Sequence, residues 1–149
     1  MPALTGAVRR LTPTDVILGN APQWSADGEE VAYAHRRDGG APIEIVSLST
    51  GEARRIPLQH TIGAFDLAWS PDGRFIAFVH AFDRLSQVTQ LVLLRLADGE
   101  ELELSDGMTN VWSPSWHGTS GAITYVSNRG GAKDLWLQRL DADGEAIAR

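Results

Sequence analysis

Residues 66–80 read DLAWSPDGRFIAFVH, and this stretch decides the fold. At its centre, Ser70-Pro71-Asp72-Gly73 is typical of a tight turn, because proline presets φ, aspartate bonds nearby backbone and glycine accepts a positive φ. The residues on both sides are rich in β-branched, aromatic and small apolar types, as expected of half-buried strands. We therefore predict a β-hairpin that turns at Asp72 and Gly73.

The same pattern occurs twice more, at residues 21–35 (APQWSADGEEVAYAH) and 113–127 (SPSWHGTSGAITYVS). The three anchor tryptophans, Trp24, Trp69 and Trp116, are spaced 45 and 47 residues apart. Each unit continues with a second strand-like half, which reads IEIVSLSTGE, LVLLRLADGE or LWLQRLDADGE. Internal similarity at this period, with four short strands in each unit, is typical of β-propeller blades.

We therefore predict an all-β fold, a single module over residues 1–149 with three four-stranded antiparallel blades. The anchor tryptophans are expected to fill the spaces between blades, and Asp27 and Asp72 are interpreted as turn residues. The blades are predicted at about 20–57, 64–105 and 112–149, after a strand-like segment at 6–12. The strands of the second blade are predicted at 64–69, 75–80, 90–96 and 101–105.

The motif WSPDGRFIAF at residues 69–78 resembles the TolB-type propeller repeat, also called PD40 and related to WD-like repeats. Residues 125–131 (YVSNRGG), followed by DLW at 134–136, resemble a second conserved piece of that repeat. The resemblance covers almost the whole chain and implies a propeller. Propellers of this family usually have six or more blades in one chain. The same blades serve unrelated roles, so the resemblance implies a fold and no particular activity.

Three blades cannot close a ring, so we expect an apolar blade face and a strand edge in water at each end. Residues 6–12 (GAVRRLT) resemble the outer strand of the first unit at 51–57 (GEARRIP). We therefore predict a head-to-tail homodimer with six blades, in which this segment completes or covers the third blade of the partner. The alternative is a place in a longer propeller or a larger assembly. The predicted inter-chain strand contains Val8, Arg9, Arg10 and Leu11.

Composition excludes several classes of partner. Thirteen basic and 19 acidic residues give a net charge of −6, which argues against nucleic acid, because phosphate binding needs clustered lysine and arginine. No stretch approaches the roughly 20 apolar residues of a membrane-spanning helix, and the chain start has no signal-peptide core. We predict a cytoplasmic location, or a periplasmic one if an export signal was removed. Without cysteine, thiolate metal sites are excluded, and we expect no cofactor or metal.

Candidate partner-binding residues fall mainly in the loops between the second and third strands of each unit, on the face where propellers usually bind. The longest of these loops, near residues 81–89, carries two apolar side chains. Three arginines lie in successive loops, either as a basic rim or as ordinary surface ion pairs, and one tryptophan lies near the predicted channel mouth. The candidates are Arg37, Phe82, Arg84, Leu85, Trp112 and Arg129.

No motif for nucleophilic, phosphate-binding or zinc chemistry is present in the sequence. His35 and His80 occupy one repeat-equivalent position, and we interpret both as structural residues that bond to loop backbone. The leading interpretation is a non-catalytic protein-binding or assembly scaffold that uses a propeller face. The alternatives are small-ligand or ion binding at the central channel, and a regulatory propeller fragment of a larger peptidase-type protein.

Overall fold

The computed structural model describes residues 8–13, 17–18, 21–36, 42–59, 63–81, 88–118 and 121–147. These residues contain no helix, and their regular structure is antiparallel β-sheet, which confirms the all-β prediction. In this part of the chain no helix is long and apolar enough to cross a membrane. The strands are β1 (Ile17–Leu18), β2 (Gln23–Trp24), β3 (Glu30–Arg36), β4 (Ile43–Ser47), β5 (Ala53–Ile56), β6 (Ala64–Trp69), β7 (Phe75–Ala81), β8 (Thr89–Arg95), β9 (Glu101–Glu103), β10 (Val111–Trp116), β11 (Ala122–Ser127) and β12 (Asp134–Arg139).

The strands form three sheets in chain order, and each sheet is a propeller blade. In blade 1, β1 and β2 both pair with β3, which is followed outward by β4 and β5. Blade 2 has the order β6-β7-β8-β9, and blade 3 has the order β10-β11-β12. The first strands of the blades contact one another, β2 with β6 and β6 with β10, so they lie together on the inner side of the arc.

The hairpins form for the reasons that the turn sequences suggested. The Ser70 hydroxyl donates to the Asp72 carboxylate at 2.7 Å, which in turn accepts from the backbone N–H of Arg74 at 3.1 Å. Gly73 takes a φ of 74°, which costs glycine little. Asp27 makes the equivalent contacts in blade 1. Both aspartates are therefore turn residues, as predicted.

The inner strands of blades 2 and 3 carry a bulge at the same repeat position. The register shifts between Phe65 and Ala68 in β6, and the equivalent shift occurs in β10. Asp66 and Ser113, the corresponding residues of the two bulges, have φ of 51° and 50°. The Asp66 carboxylate accepts a hydrogen bond from the backbone N–H of Ser113 at 3.0 Å, so one bulge braces the next. The hydrogen bond between the two bulges therefore stabilises the positive φ values of Asp66 and Ser113 on the inner side of the arc.

Two apolar cores lie between the three blades. Between blades 1 and 2, Ala32 and Ile45 pack against Ile76 and Phe78. Between blades 2 and 3, the buried residues come from the opposite side of β7 and β8 and from the facing side of blade 3. The second core contains Ala68, Phe75, Ala77, Val79, Leu91, Leu93, Val111, Ile123, Tyr125 and Leu140.

The prediction that the anchor tryptophans fill the spaces between blades is right for two of them and wrong for Trp24. Trp69 is buried against blade 1. Trp116 stacks on Phe75 of blade 2, with ring centroids 6.4 Å apart, and its indole N–H donates to the Ala68 carbonyl at 2.9 Å. Each of these rings packs on the preceding blade. Trp24, in the first blade, is 61% exposed, since no blade precedes it among the described residues.

Blade 3 departs from the predicted four strands. Within the described residues its fourth strand is reduced to a single bridge between Leu140 and Ala146, supported by a bond from the Ile147 N–H to the Arg139 carbonyl. The hairpin without an Asp-Gly turn still closes as the others do, since the His117 N–H donates to the Ala122 carbonyl. In blade 2 the predicted bounds agree with the observed strands to within two residues.

The two ends of the arc are not equally open, contrary to our expectation. Val31, Tyr33 and Val46 lie on the side of blade 1 that faces away from blade 2, yet all three are buried. The side of blade 3 that faces away from blade 2 carries two leucines in water. We refer to these two sides as the outer faces of blade 1 and blade 3.

Candidate protein-docking surface

The outer face of blade 3 is built by alternation along its three strands. Val111, Ile123 and Tyr125 point toward blade 2, so their sequence neighbours point outward. The strand register then sets these outward residues side by side in two rows. The rows are Trp112-Val126-Leu135 and Ser115-Thr124-Leu137.

The leucines of this face are exposed where their counterparts in blade 2 are buried. Leu135 pairs with Val126 as Leu91 pairs with Val79, so the two leucines occupy equivalent positions. Leu91 is fully buried under blade 3, whereas Leu135 is 74% exposed. Two residues further along each strand the contrast is repeated, since Leu93 is 0% exposed and Leu137 is 47% exposed. Blade 3 thus repeats the leucines with which blade 2 contacts its neighbour, while the polar Ser115 and Thr124 stand where blade 2 has Ala68 and Ala77.

Trp112, a predicted contact residue, belongs to this face. It lies opposite Val126 at the equivalent position of Phe65, which packs against the core between blades 2 and 3. The ammonium group of Lys133 sits 4.4 Å from the centre of its ring. A half-exposed tryptophan next to exposed leucines is typical of the centre of a protein interface.

Arg129, the other described candidate, lies on the opposite side of blade 3. Its guanidinium is 5.3 Å from the centre of the Trp136 ring and bonds to the Tyr125 hydroxyl at 3.2 Å. A 3.6 Å ion pair joins it to Asp106 in the connection from blade 2. The alternative interpretation of this arginine as a member of an ordinary surface ion pair fits these contacts. The structure therefore does not bring Trp112 and Arg129 into one surface.

The remaining loop candidates, Arg37, Phe82, Arg84 and Leu85, lie outside the described residues. The predicted inter-chain strand is described from Val8 onward and is not part of any strand in the single chain. Its Arg9 guanidinium donates to the Leu48 carbonyl at 2.7 Å, which holds the segment against blade 1. Val8 itself is fully exposed.

A buried polar cluster in blade 1 was missed in the sequence. The Tyr33 hydroxyl donates to the Glu44 carboxylate at 2.6 Å, and the Arg55 guanidinium donates to the same carboxylate through two N–H groups at 3.0 and 3.1 Å. His35 Nε2 lies 3.1 Å from Glu44 Oε1. The loop after His35 lies outside the described residues, so a bond from this histidine to loop backbone stays a prediction. The sequence IEIV at residues 43–46 contains the signal, because the charged Glu44 stands where the second repeat has Val92.

The environment of Glu44 sets its charge state. Burial by itself raises the pKa of the carboxyl, but hydrogen bonds from Tyr33, Arg55 and His35 outweigh burial and hold the pKa below its ordinary value. Burial, with the hydrogen bond and charge of Glu44, raises the pKa of Tyr33 well above its usual range. The cluster is therefore a neutral tyrosine bound to a charged carboxylate.

Other shifted carboxylates belong to turns. Hydrogen bonds from the Ser25 hydroxyl and the Glu29 N–H lower the pKa of Asp27, and the backbone N–H groups of Glu100 and Met108 lower the pKa values of Asp98 and Asp106.

Burial lowers the pKa of His80, against the effect of a hydrogen bond with Gln90. Among the described residues, no three His, Asp or Glu side chains are placed to hold a metal ion together.

Neither a family model nor a curated protein matches this chain. Solved structures do match it. A protein described as TolB from Agrobacterium tumefaciens superposes with a TM-score of 0.66 at 21% identity, covering 91% of this chain and 50% of that one. TolB from Acinetobacter baumannii gives 0.68 at 19% identity, over 85% of this chain and 30% of that one. The β-propeller domain of the Trilobed protease from Pyrococcus furiosus gives 0.63 at 23%, over 89% and 41%.

These likenesses establish the fold: the chain forms three blades of a TolB-like β-propeller. It spans half of the first matched structure and 30% of the second. Structures with similar blades include proteins described as TolB and as proteases. The fold therefore leaves the function to be argued from the surfaces of this chain.

Proposed function

We propose that this protein is a non-catalytic binding or assembly module whose docking surface is the outer face of blade 3. A single observation carries the proposal: Leu135 and Leu137 are exposed at the positions where Leu91 and Leu93 of blade 2 are fully buried by a neighbouring blade. Within the chain, blade 2 uses Leu91 and Leu93 to contact blade 3. The outer face of blade 3 carries the equivalent leucines at an exposed surface.

The energetics favour a protein partner for this face. Burying a leucine side chain from water contributes about 1.5–3 kcal/mol, so covering Leu135 and Leu137 is worth a few kcal/mol before the costs of association are subtracted. Trp112 adds a rigid aromatic group beside them, and tryptophan is enriched among residues that dominate binding energy. A flat apolar sheet matches another β-sheet better than it matches a small ligand, which requires a concave site.

Site-specific photo-crosslinking tests the proposal. A photoreactive amino acid at position 135, in the protein expressed in its host, should give a discrete adduct whose partner is identified by mass spectrometry. The same group at Ala97, an exposed residue in a turn of blade 2, is the matched control and should give none. Leu137→Lys should abolish the adduct, because it places a charge in the apolar face.

Equal labelling at positions 135 and 97 would contradict the docking surface. Turnover of peptide substrates by the purified chain, retained after Leu137→Lys, would contradict the non-catalytic assignment. The cytoplasm remains the proposed location, with the periplasm as the alternative, and fractionation of the host cells distinguishes them.

A further inference from the structure

Building on the proposed docking surface, we infer that its occupant is a second copy of this chain. Residues 8–11 of that copy would form the fourth strand of blade 3 along β12. The blade 1 end of that copy, where Trp24 is exposed and Val31 and Val46 are already buried, would lie against the leucines of the outer face. The two chains would associate head to tail.

The first observation is an open edge. In blade 1, β5 pairs with four residues of β4, and in blade 2, β9 pairs with three residues of β8. In blade 3, the described part of the chain pairs with β12 only at its end, through the Leu140–Ala146 bridge and the bond from Ile147 to the Arg139 carbonyl. Among the residues that the structure describes, none pairs with 134–138 on this side, and an exposed strand edge is a ready template for another strand.

The second observation is a segment that matches the missing strand. VRRL at residues 8–11 has the same pattern as ARRI of β5, whose residues 53–56 pair with residues 46–43 of β4. Residues 43–46 are equivalent to 135–138 of β12, since Ile43 and Leu135 pair with equivalent residues of the second strand. The alignment places Val8 opposite Gln138, Arg9 opposite Leu137, Arg10 opposite Trp136 and Leu11 opposite Leu135.

The third observation is where this segment lies in the single chain. Arg74 and Arg95 of blade 2 donate to the Ala142 and Asp143 carbonyls, in the outer turn of the blade that follows. Arg9 also donates to a carbonyl in the outer turn of a blade, that of Leu48 in blade 1, although neither the arginine nor the carbonyl is at a repeat-equivalent position. The segment therefore contacts blade 1 through the same kind of group, an arginine on an outer-turn carbonyl, that blade 2 uses on blade 3. It lies in no strand there, so it can receive β12 of a partner.

The fourth observation is the distribution of exposed apolar groups. Among the described residues, Val8 and Trp24 are exposed at the blade 1 end, while Leu135, Leu137 and Ile147 are exposed at the blade 3 end. In the inferred dimer these two ends meet. Trp24 takes the place that Trp116 takes on blade 2, and its indole N–H is directed at the carbonyl of the partner's Ser115, the equivalent of Ala68.

Two candidate strands meet at this edge. Ala146 and Ile147 use Leu140 and Arg139, and in the inferred register the partner's Val8 begins opposite the next residue, Gln138. Two more residues follow Ile147 in the sequence, and the inferred register requires that they leave the β12 edge, because their continued pairing would occupy Gln138 and Leu137. A two-fold axis then makes both contacts between the chains identical, which closes the assembly at two copies.

Disulfide formation between single-cysteine variants tests the register, and the absence of native cysteine makes the result clean. Leu11→Cys mixed with Leu135→Cys, and Val8→Cys mixed with Gln138→Cys, should give covalent dimers under mild oxidation. These pairs sample both kinds of antiparallel neighbour, of which the closer kind suits a disulfide. All four residues lie at exposed or edge positions, where the substitutions leave the core intact.

The same four variants provide the matched control when their partners are exchanged. Leu11→Cys with Gln138→Cys, and Val8→Cys with Leu135→Cys, are displaced by three residues, or about 10 Å, and should crosslink at least tenfold more slowly. Light scattering of the unmodified protein should give twice the single-chain mass of 16.2 kDa.

Three results would overturn the inference: a folded protein that stays at 16.2 kDa up to high concentration, equal crosslinking of matched and exchanged pairs, or a Leu135→Cys homodimer that forms faster than the mixed pair. The last result would mean that two outer faces meet each other. If any of them occurs while photo-crosslinking at position 135 identifies a different protein, the second copy is excluded and the docking surface stands.

Discussion

Blades 2 and 3 carry similar side chains on the side that faces away from blade 1, and among the described residues only blade 2 has a blade packed against that side. Phe65, Val79 and Leu91 on blade 2 correspond to Trp112, Val126 and Leu135 on blade 3. The first set lies in or against the core between the blades, and the second lies at the end of the arc. The same side-chain chemistry is a core in one place and a surface in the other.

The comparison shows that the repeat sequence determines which side chains share a side of a blade, but not whether that side is buried. A strand sequence determines which side chains share a side of the sheet, because alternate residues point to opposite sides. Whether that side is dry depends on a neighbour that the strand does not contain. The outer face of blade 1 shows the converse, because its Val31 and Val46 are buried although no blade precedes blade 1 among the described residues.

The largest effect is expected from truncating one leucine of each blade. Leu93→Ala opens a cavity in a fully buried site and should lower the free energy of unfolding by about 2–5 kcal/mol. Leu137→Ala, at the equivalent exposed position, should change it by less than about 1 kcal/mol at concentrations that keep the chain monomeric. Urea denaturation of both variants measures the difference. Equal losses would show that the outer face of blade 3 is covered within the single chain.

A smaller contrast is expected between two anchor tryptophans. Trp116→Ala removes a ring stacked on Phe75 and a hydrogen bond to Ala68, and should cost about 2–3 kcal/mol of unfolding free energy, because the ring is only partly buried. Trp24→Ala should cost about 1 kcal/mol or less in the monomer, since its ring is mostly in water. In the inferred dimer, Trp24→Ala should also raise the dissociation constant, which sedimentation equilibrium measures.

The smallest effect concerns Tyr33, whose counterpart in blade 2 is Phe78. Tyr33→Phe removes the hydrogen bond to Glu44 and should lower the free energy of unfolding by about 1 kcal/mol near pH 7. The pKa of Glu44 is depressed in the folded protein, so its contribution is present above its ordinary value of 4.5 and is lost as the pH falls further. The difference between variant and wild type should shrink below that pH.

At alkaline pH the difference in stability depends on the ionisation of Tyr33 and not on that of Glu44. The pKa of Tyr33 is raised in the folded state above its ordinary value of 10.0, so wild-type stability should fall relative to Tyr33→Phe as the pH rises above 10. Thermal unfolding over the pH range measures both limbs. A difference that stays constant with pH would mean that Tyr33 and Glu44 do not interact.

Much of the fold could be predicted because its signals are local. Asp72 and Gly73 specify a turn through contacts within five residues of chain, and the alternation on either side specifies strands. Of the residues that form the proposed docking surface, only Trp112 was predicted from the sequence. Leu135 and Leu137 were missed because, in the sequence, they look the same as the buried Leu91 and Leu93. Glu44 was missed because a charge in a strand reads as exposed unless its partners are known.

The number of blades, their turns and the residues that share a side of each sheet could be predicted from the sequence, because they follow from short-range sterics and alternation. The packing of the blades sets which sides are covered, why Trp24 is exposed while Trp69 and Trp116 contact a preceding blade, and that Glu44 is paired with Tyr33 and Arg55. Burial and pairing depend on residues distant in the chain, and their positions are set by how the blades pack.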